Sequence, residues 1–300
     1  MYDLVRIARA VATNQVARVA PSAYVRMTRQ TGRGDGDRES PAEVAAYFRR
    51  CVADYVERLG GAGADAERCF AGKVVLEYGP GDLPGVAALL VSLGAEKVYC
   101  VDRFPMVRGS DKSERVMREL IEHCTPHQRR RLIEALADPA HPSDGFASHR
   151  VEYLVTPHGL SGLDGAVDVV LSRAVMEHVD DLDATFADMV RALRTGATAI
   201  HQVDLKSHGL HRVNPLDFLE CPGWLWQAMF SHKGVPNRWR VDRYRDILAA
   251  HPVRLVSLEP TQLAGAGDIE AVRPRLAPSF RDVSDDDLAW LGFWLVFTRT

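Results

Sequence analysis

Apolar residues recur at Leu4, Ile7, Ala8, Val11, Ala12 and Val16. That spacing is close to the helical period and predicts a helix over Met1–Val19. Arg6, Arg9 and Arg18 make it basic. Such a helix can lie on a membrane surface; capping the core, or pairing with a second copy as a homodimer, is the simpler reading. Thr31–Ser40 is polar and glycine-rich and reads as a loop. Ser40, Pro41 and Glu43 then supply a cap, a first-turn proline and an acid three residues on, which open a helix over Pro41–Leu59. Its face of Val44, Tyr47, Phe48, Val52 and Tyr55 is expected to pack near the bound ligand.

From residue 71 the pattern changes to short strand-forming runs alternating with helices, the signature of a parallel sheet covered on both faces. The runs are Val74 to Glu77, Lys97–Val101, Val151–Val155, Val167–Leu171, Ala197–Val203, Val253–Leu258 and Gly292–Thr298. Val86–Leu93 is the first intervening helix, and the long connection 104–150 carries a basic helix, Gln128–Ala137. Its Arg129, Arg130 and Arg131 read as a solvated face rather than a phosphate site. The expected architecture is an α/β fold with a seven-stranded, mostly parallel sheet. Residues 1–70 form an N-terminal helical cap, 71–300 the core, and about 205–240 an inserted lid.

The turn after the first strand holds Gly79, Gly81 and Gly85. Glycine is required where a backbone turns sharply and must come close to a ligand. The second strand ends on Asp102, placed to accept hydrogen bonds from both hydroxyls of a ribose. In a dinucleotide fingerprint the third glycine follows the second by three residues, and a pyrophosphate sits on the helix N-terminus. Here Pro84 takes that place, removing a backbone N–H, and Asp82 adds negative charge. Glu77, at the strand end, suits a cationic amine. The ligand implied has a ribose and a positive charge but no phosphate.

Composition adds exclusions. Lys plus Arg total 37 against 40 acids, a net charge of −3, so no bulk attraction to nucleic acid is expected. No apolar run approaches the roughly 20 residues needed to span a bilayer, and no secretory leader is evident. Five scattered cysteines lack Cys-x-x-Cys spacing, so neither zinc nor a disulfide framework is indicated. A cytoplasmic location is the simplest expectation.

Glu77-Tyr-Gly-Pro-Gly81 resembles the first motif of class I S-adenosylmethionine-dependent methyltransferases, in their small-molecule branch. The resemblance covers about 71–300 and implies S-adenosylmethionine as cofactor and S-adenosylhomocysteine as product. It places Glu77, Gly79, Pro80, Gly81, Asp102 and Arg103 on the cofactor, with Ser172 and Arg173 beside it. That family usually carries an acid for the adenine amino group after the third strand; here Thr156-Pro157-His158 stands there, so Thr156 and backbone would hold adenine. The final strand, Gly292–Thr298, resembles the family's last antiparallel strand and implies a complete catalytic core.

Ser172 to His178 resembles the Ser-x-x-x-x-Glu-His segment of small-molecule methyltransferases. It differs from the Asn/Asp-Pro-Pro-Tyr of enzymes that methylate amino groups of bases. Ligands in open α/β sheets lie beyond the strands' carboxyl ends, where Glu177, His178 and Asp204 are candidate catalytic groups. His178 is the first choice as general base. His201, Asp204, His208 and His211 also raise a metal site, but their spacing fits no compact tetrahedral pattern, and none is expected. His201 on the fifth strand and Phe218, Trp224, Trp226, Arg238 and Arg240 in the lid are candidate substrate contacts, the aromatics for a ring or sugar face and the arginines for a carboxylate or phosphate. An equal reading makes 205–240 a small subdomain with its own core. The favoured function is methyl transfer to a hydroxyl of a small molecule. Alternatives are a carbon or nitrogen acceptor such as a prenyl diphosphate, with Glu177 as base, and a non-catalytic, cofactor-binding regulatory protein.

Overall fold

Ser40 opens its helix as the sequence predicts. Its Oγ accepts from the Glu43 N–H at 3.3 Å, and the Glu43 carboxylate accepts from the Ser40 N–H at 2.7 Å, so two orphan donors are satisfied reciprocally. In this computed structural model, residues 4–28, 39–61, 66–105, 110–233 and 236–300 are described; the predicted polar loop lies outside them except for Glu39 and Ser40. The N-terminal helices are α1 (Leu4–Val19), α2 (Pro21–Thr28), α3 (Pro41–Arg58) and α4 (Ala66–Phe70). The alternating part runs β1 (Val74–Tyr78), α5 (Gly85–Ser92), β2 (Lys97–Asp102), α6 (Asp111–Glu122), α7 (Pro126–Ala135), β3 (Val151–Val155), β4 (Val167–Arg173), α8 (Leu182–Ala192) and β5 (Leu193–Asp204). It ends with α9 (Gly223–Phe230), α10 (Val241–Ala249), β6 (Val253–Leu263), α11 (Ala266–Val272), α12 (Asp285–Ala289) and β7 (Trp290–Arg299).

The strands form a seven-stranded sheet in the order β3-β2-β1-β4-β5-β7-β6. β1 pairs in parallel with β2 and β4, β2 with β3, and β6 runs antiparallel to β7. β6 continues to Leu263 rather than ending at Leu258, because its ladder with β7 runs from Val253↔Arg299 to Leu263↔Trp290. As an edge strand it tolerates Pro260. The long connection holds an additional helix, α6, capped by Ser110. Arg129 of α7 donates to the Ile121 and Glu122 carbonyls at the end of α6, and Arg131 reaches Glu67 and the Ser92 carbonyl. Two of the three arginines thus hold helix ends.

Two packed units emerge, one of Arg29–Arg173 with Arg191–Ile200, the other of Met1–Thr28, Ala174–Val190 and His201–Thr300. The expected cap over 1–70 is therefore not one body: α3 and α4 belong to the first unit, α1 and α2 to the second. In the first, α3 crosses α5, and a Cβ built on Gly85 would lie 2.3 Å from the Phe48 ring. The late third glycine is there because two helices touch.

In the second unit, α1 lies against α9. The buried Asn14 amide donates to the carbonyls of Gln227 and Ala228, and its oxygen accepts from the His232 N–H at 2.9 Å. Ile7, Ala10 and Val11 join an apolar cluster of Leu216, Phe218, Leu219, Trp226 and Met229 with Val272, Leu276 and Leu288. The predicted lid thus has a core of its own, shared with α1 and the later helices.

Substituting Gly85→Ala should destabilise the chain by about 1–3 kcal/mol through overpacking. Thermal unfolding would register this, and Phe48→Leu in the same chain should recover part of the loss. An unchanged melting temperature for the single variant would refute the packing role.

Candidate active site

The parallel register levels the strand ends of the first unit. Tyr78 stands opposite Val101 and Ser172, and Asp102 opposite Val155. Glu77, Gly79–Gly81, Asp102, Thr156, Ser172 and Arg173 therefore gather at one carboxyl edge, where ligands bind in open α/β sheets. Gly79 and Gly81 have φ of 65° and 76°, a conformation that favours glycine. The Gly79 N–H donates to the Val101 carbonyl at 2.8 Å, tying the turn to β2.

Glu77 is 6% exposed. Its carboxyl accepts from the Cys100 thiol at 3.8 Å, and burial pushes its pKa up to about 8. A buried carboxyl with so weak a partner fits a cationic ligand group, whose charge would favour the ionised form. Burial also raises the pKa of Asp102, opposed by backbone N–H groups; one is that of Phe104, at 2.9 Å. Thr156 is partly committed, its hydroxyl donating to the Leu160 carbonyl at 3.0 Å. Arg173 is tied back to α3, to Asp54 at 2.6 Å and over the Tyr47 ring.

Tyr153 was not singled out by sequence reasoning. Its hydroxyl bridges the carbonyls of Gly81 and Phe104 at 3.3 and 3.4 Å, bracing the glycine turn against the segment after Asp102. The one available signal was its place on β3, two residues before the strand's end.

The second unit holds the acid and histidine residues. After β4 the chain turns through Ala174, at φ 54°, whose N–H donates to the Gln202 carbonyl at 2.8 Å. The Asn237 side chain donates to the Met176 and Val179 carbonyls, and its backbone N–H to the Glu177 carbonyl at 2.6 Å. These bonds hold Glu177, which is 1% exposed, and its Oε1 accepts from the Asp204 N–H at 3.3 Å. The Nε2 atoms of His178 and His208 each lie 4.0 Å from that oxygen, and His208 Nε2 lies 3.8 Å from Asp204 Oδ2. The two rings meet edge to face at 4.8 Å. Burial, together with the nearby Asp204, drives the Glu177 pKa well above the usual carboxylate range. Burial lowers the His208 pKa despite Asp204, so its ring is neutral near pH 7. The sequence offers His208 only as one of the histidines that raise a metal site; the Asp204–His208 spacing is its signal, and it stands at a φ of 51°.

The predicted catalytic residues Glu177, His178 and Asp204 are thus brought together. Five predicted substrate contacts have other roles. His201 is fully buried between the rings of Phe186 and Phe297, and burial lowers its pKa to about 3. Phe218 and Trp226 belong to the insertion's core. Arg238 is buried over the Trp226 and Phe280 rings and donates to the carbonyls of Phe218 and Cys221. Arg240 donates to the carbonyls of Leu205, Leu288 and Trp290. Both guanidinium groups serve backbone that helix and sheet leave unpaired, so neither is presented to an acceptor. Trp224 is 72% exposed.

The sequence profile of a family described as a methyltransferase domain matches residues 44–257. The chain belongs to this methyltransferase family. With membership comes the methyl donor, S-adenosylmethionine, and the non-catalytic reading falls away; the cradle expected for the donor is Glu77, the glycine turn and Asp102. No curated protein sequence matches the methyltransferase. Among solved structures it is similar to a geranyl diphosphate methyltransferase in complex with S-adenosylmethionine, at 15% identity over 85% of each chain with a TM-score of 0.45. It is also similar to a methyltransferase from Mesorhizobium loti, at 16% identity over 79% of this chain and 98% of that one, TM-score 0.43. A third is geranyl diphosphate C-methyltransferase from Streptomyces coelicolor, at 14% identity over 77% and 73%, TM-score 0.43. Scores this low carry no argument about the acceptor. Among the described residues of the methyltransferase, no helix is long and apolar enough to cross a membrane.

Two outcomes follow from the cradle. Glu77 is mostly protonated at pH 7, and a cationic donor beside it favours the carboxylate, so donor binding should release a proton at pH 7 and less at pH 9. Calorimetry in buffers of differing ionisation enthalpy reads this; Glu77→Gln should abolish the buffer dependence, and no dependence in the native chain would refute the role. Tyr153→Phe should weaken donor binding by about 5-fold, as expected for loss of a bracing hydrogen bond worth roughly 1 kcal/mol. An unchanged Kd would rule that role out.

Proposed function

We propose that the chain transfers the methyl group of S-adenosylmethionine to a hydroxyl of a small molecule, such as a natural-product intermediate or a sugar. The observation that carries this reading is the gathering of Glu177, His178, Asp204 and His208 in one unit. Methyl transfer to oxygen is an in-line displacement, in which the protein aligns the reactants and takes up the hydroxyl proton. The donor supplies an electrophilic methyl on sulfur. Glu77, the glycine turn and Asp102 hold the donor, with Tyr153 keeping the turn in place. The histidines beside Glu177 accept the hydroxyl proton, and Asp204 favours the charge that results.

The alternative acceptor, a prenyl diphosphate, requires arginines open to phosphate oxygens. Arg238 and Arg240, the candidates for that task, are committed to backbone carbonyls, which favours an uncharged hydroxyl acceptor. Trp224, exposed on the insertion, is open to stack on a ring or sugar face.

His178→Ala and His208→Ala should each lower kcat by about 10²–10⁴-fold while leaving the donor's Kd within about threefold. Turnover on a panel of hydroxyl, amine and prenyl diphosphate acceptors, with calorimetry for the donor, tests the assignment. Turnover on the diphosphate alone, or full activity in both variants, would overturn it.

A further inference from the structure

Glu177 Oε2 is buried and makes no hydrogen bond. A carboxyl oxygen sealed from water without a partner is costly, and the fold keeps this one beside two imidazoles. The Glu177 carboxylate, a His178 ring nitrogen and a His208 ring nitrogen place their ligand atoms within 4.8 Å of one another. Both Nε2 atoms are 4.0 Å from Glu177 Oε1, too far for hydrogen bonds. Atoms bound to one small divalent ion at about 2.1 Å lie about 3–3.5 Å apart, so drawing these three groups, now within 4.8 Å of one another, together by at most about 1.8 Å would complete a site.

We propose that Glu177, His178 and His208 bind a divalent first-row transition-metal ion. Two imidazoles and one carboxylate favour such an ion over magnesium or calcium, which prefer all-oxygen sets, and three protein ligands leave positions open. His208 reaches the site from a left-handed backbone, φ 51°, a conformation that costs energy and clusters at functional sites. Asp204 Oδ2, 3.8 Å from His208 Nε2, is the adjacent acid. A second group, Asp138, His141 and Asp144, is a weaker candidate: it is mostly exposed, and His141 Nδ1 is already paired with Asp138 at 3.0 Å. The sequence spacing argued against a metal because it considered the histidines of 201–211 alone; the fold takes one of them and adds Glu177 and His178 from the segment after β4.

The role of the ion rests on the hydroxyl-acceptor reading, and with both histidines on the ion the acceptor's proton falls to Asp204 in their place. It would bind the acceptor oxygen and lower the pKa of its hydroxyl. The proton passes to solvent through Asp204, an oxygen lone pair forms the new O–C bond, and the electrons of the breaking C–S bond stay on sulfur. The ion is neither oxidised nor reduced.

The test uses the full chain, stripped with a chelator and then titrated with Co²⁺, followed by visible absorption and by calorimetry. One Co²⁺ per chain with a ligand-field band is expected. His208→Ala and His178→Ala should each weaken binding by at least about 100-fold, with circular dichroism confirming that they are folded. If either variant fails to fold, Glu177→Gln is read instead, and the same loss is expected. Absence of stoichiometric Co²⁺ binding, or binding unchanged in the folded variants, would overturn the proposal. Hydroxyl methylation that survives in the stripped chain would overturn the ion's role in methyl transfer while leaving the acceptor reading intact. A metal-binding chain that methylates no hydroxyl would do the reverse.

Discussion

Burying a carboxyl group without a matched cation is the constraint on which the rest of this structure depends. Glu77 and Glu177 carry it, one in each packed unit. In the unit that holds β1 to β4, Glu77 sits near the end of a central strand with the Cys100 thiol as a weak partner. In the other, Glu177 is sealed beneath two histidines, with one carboxyl oxygen making no hydrogen bond. In a core of low dielectric such a group shifts toward its neutral form, and both pKa values move upward. Neither placement helps the chain fold. On the proposed function, both are positions held for something that arrives later, a cationic donor in one case and an acceptor with its proton in the other.

The scaffolding around them is correspondingly strong. Glu77 lies on β1, flanked by parallel neighbours on both sides. Glu177 follows β4 on a turn fixed by the Asn237 side chain and the Ala174 N–H. Strain collects nearby: Ala174 and His208 are two of three non-glycine residues with positive φ among those described, and the third is Arg238. Such strain persists only where surrounding bonds over-determine the backbone. Arg238 and Arg240 are part of that surrounding structure, since their guanidinium groups satisfy carbonyls in connections and at element ends. Two residues that read as anion receptors are internal struts.

Much of the fold was legible because local signals and tertiary demand agreed. The Ser40 cap, the β1 turn, and the strands at 97–102, 151–155 and 167–173 follow from short-range rules: a side chain that caps its own helix, a glycine at positive φ, alternation on a pleat. Gly79 and Gly81 were assigned to a sharp turn and have the φ angles for it. Gly85 was noted as misplaced for a phosphate, but its contact with Phe48 of α3 joins residues far apart in sequence. For the same reason the division of residues 1–70 between two units was hidden: α1 reads alike as a cap, a dimer face or the partner of α9, and only Asn14 bonded to the Gln227 and Ala228 carbonyls distinguishes them.

The sequence by itself determined the class of the protein, its methyl donor and the glycine turn at the end of β1, because each rests on contiguous motifs whose physics is local. Tertiary structure decided which side chains are available for chemistry. His201 and His208 lie seven positions apart, yet one is enclosed by phenylalanine rings and the other turned toward Glu177. Phe218, Trp226, Arg238 and Arg240 looked like a binding surface and are packed inside. Burial depends on what the rest of the chain places over a residue, and no spacing within a segment encodes that.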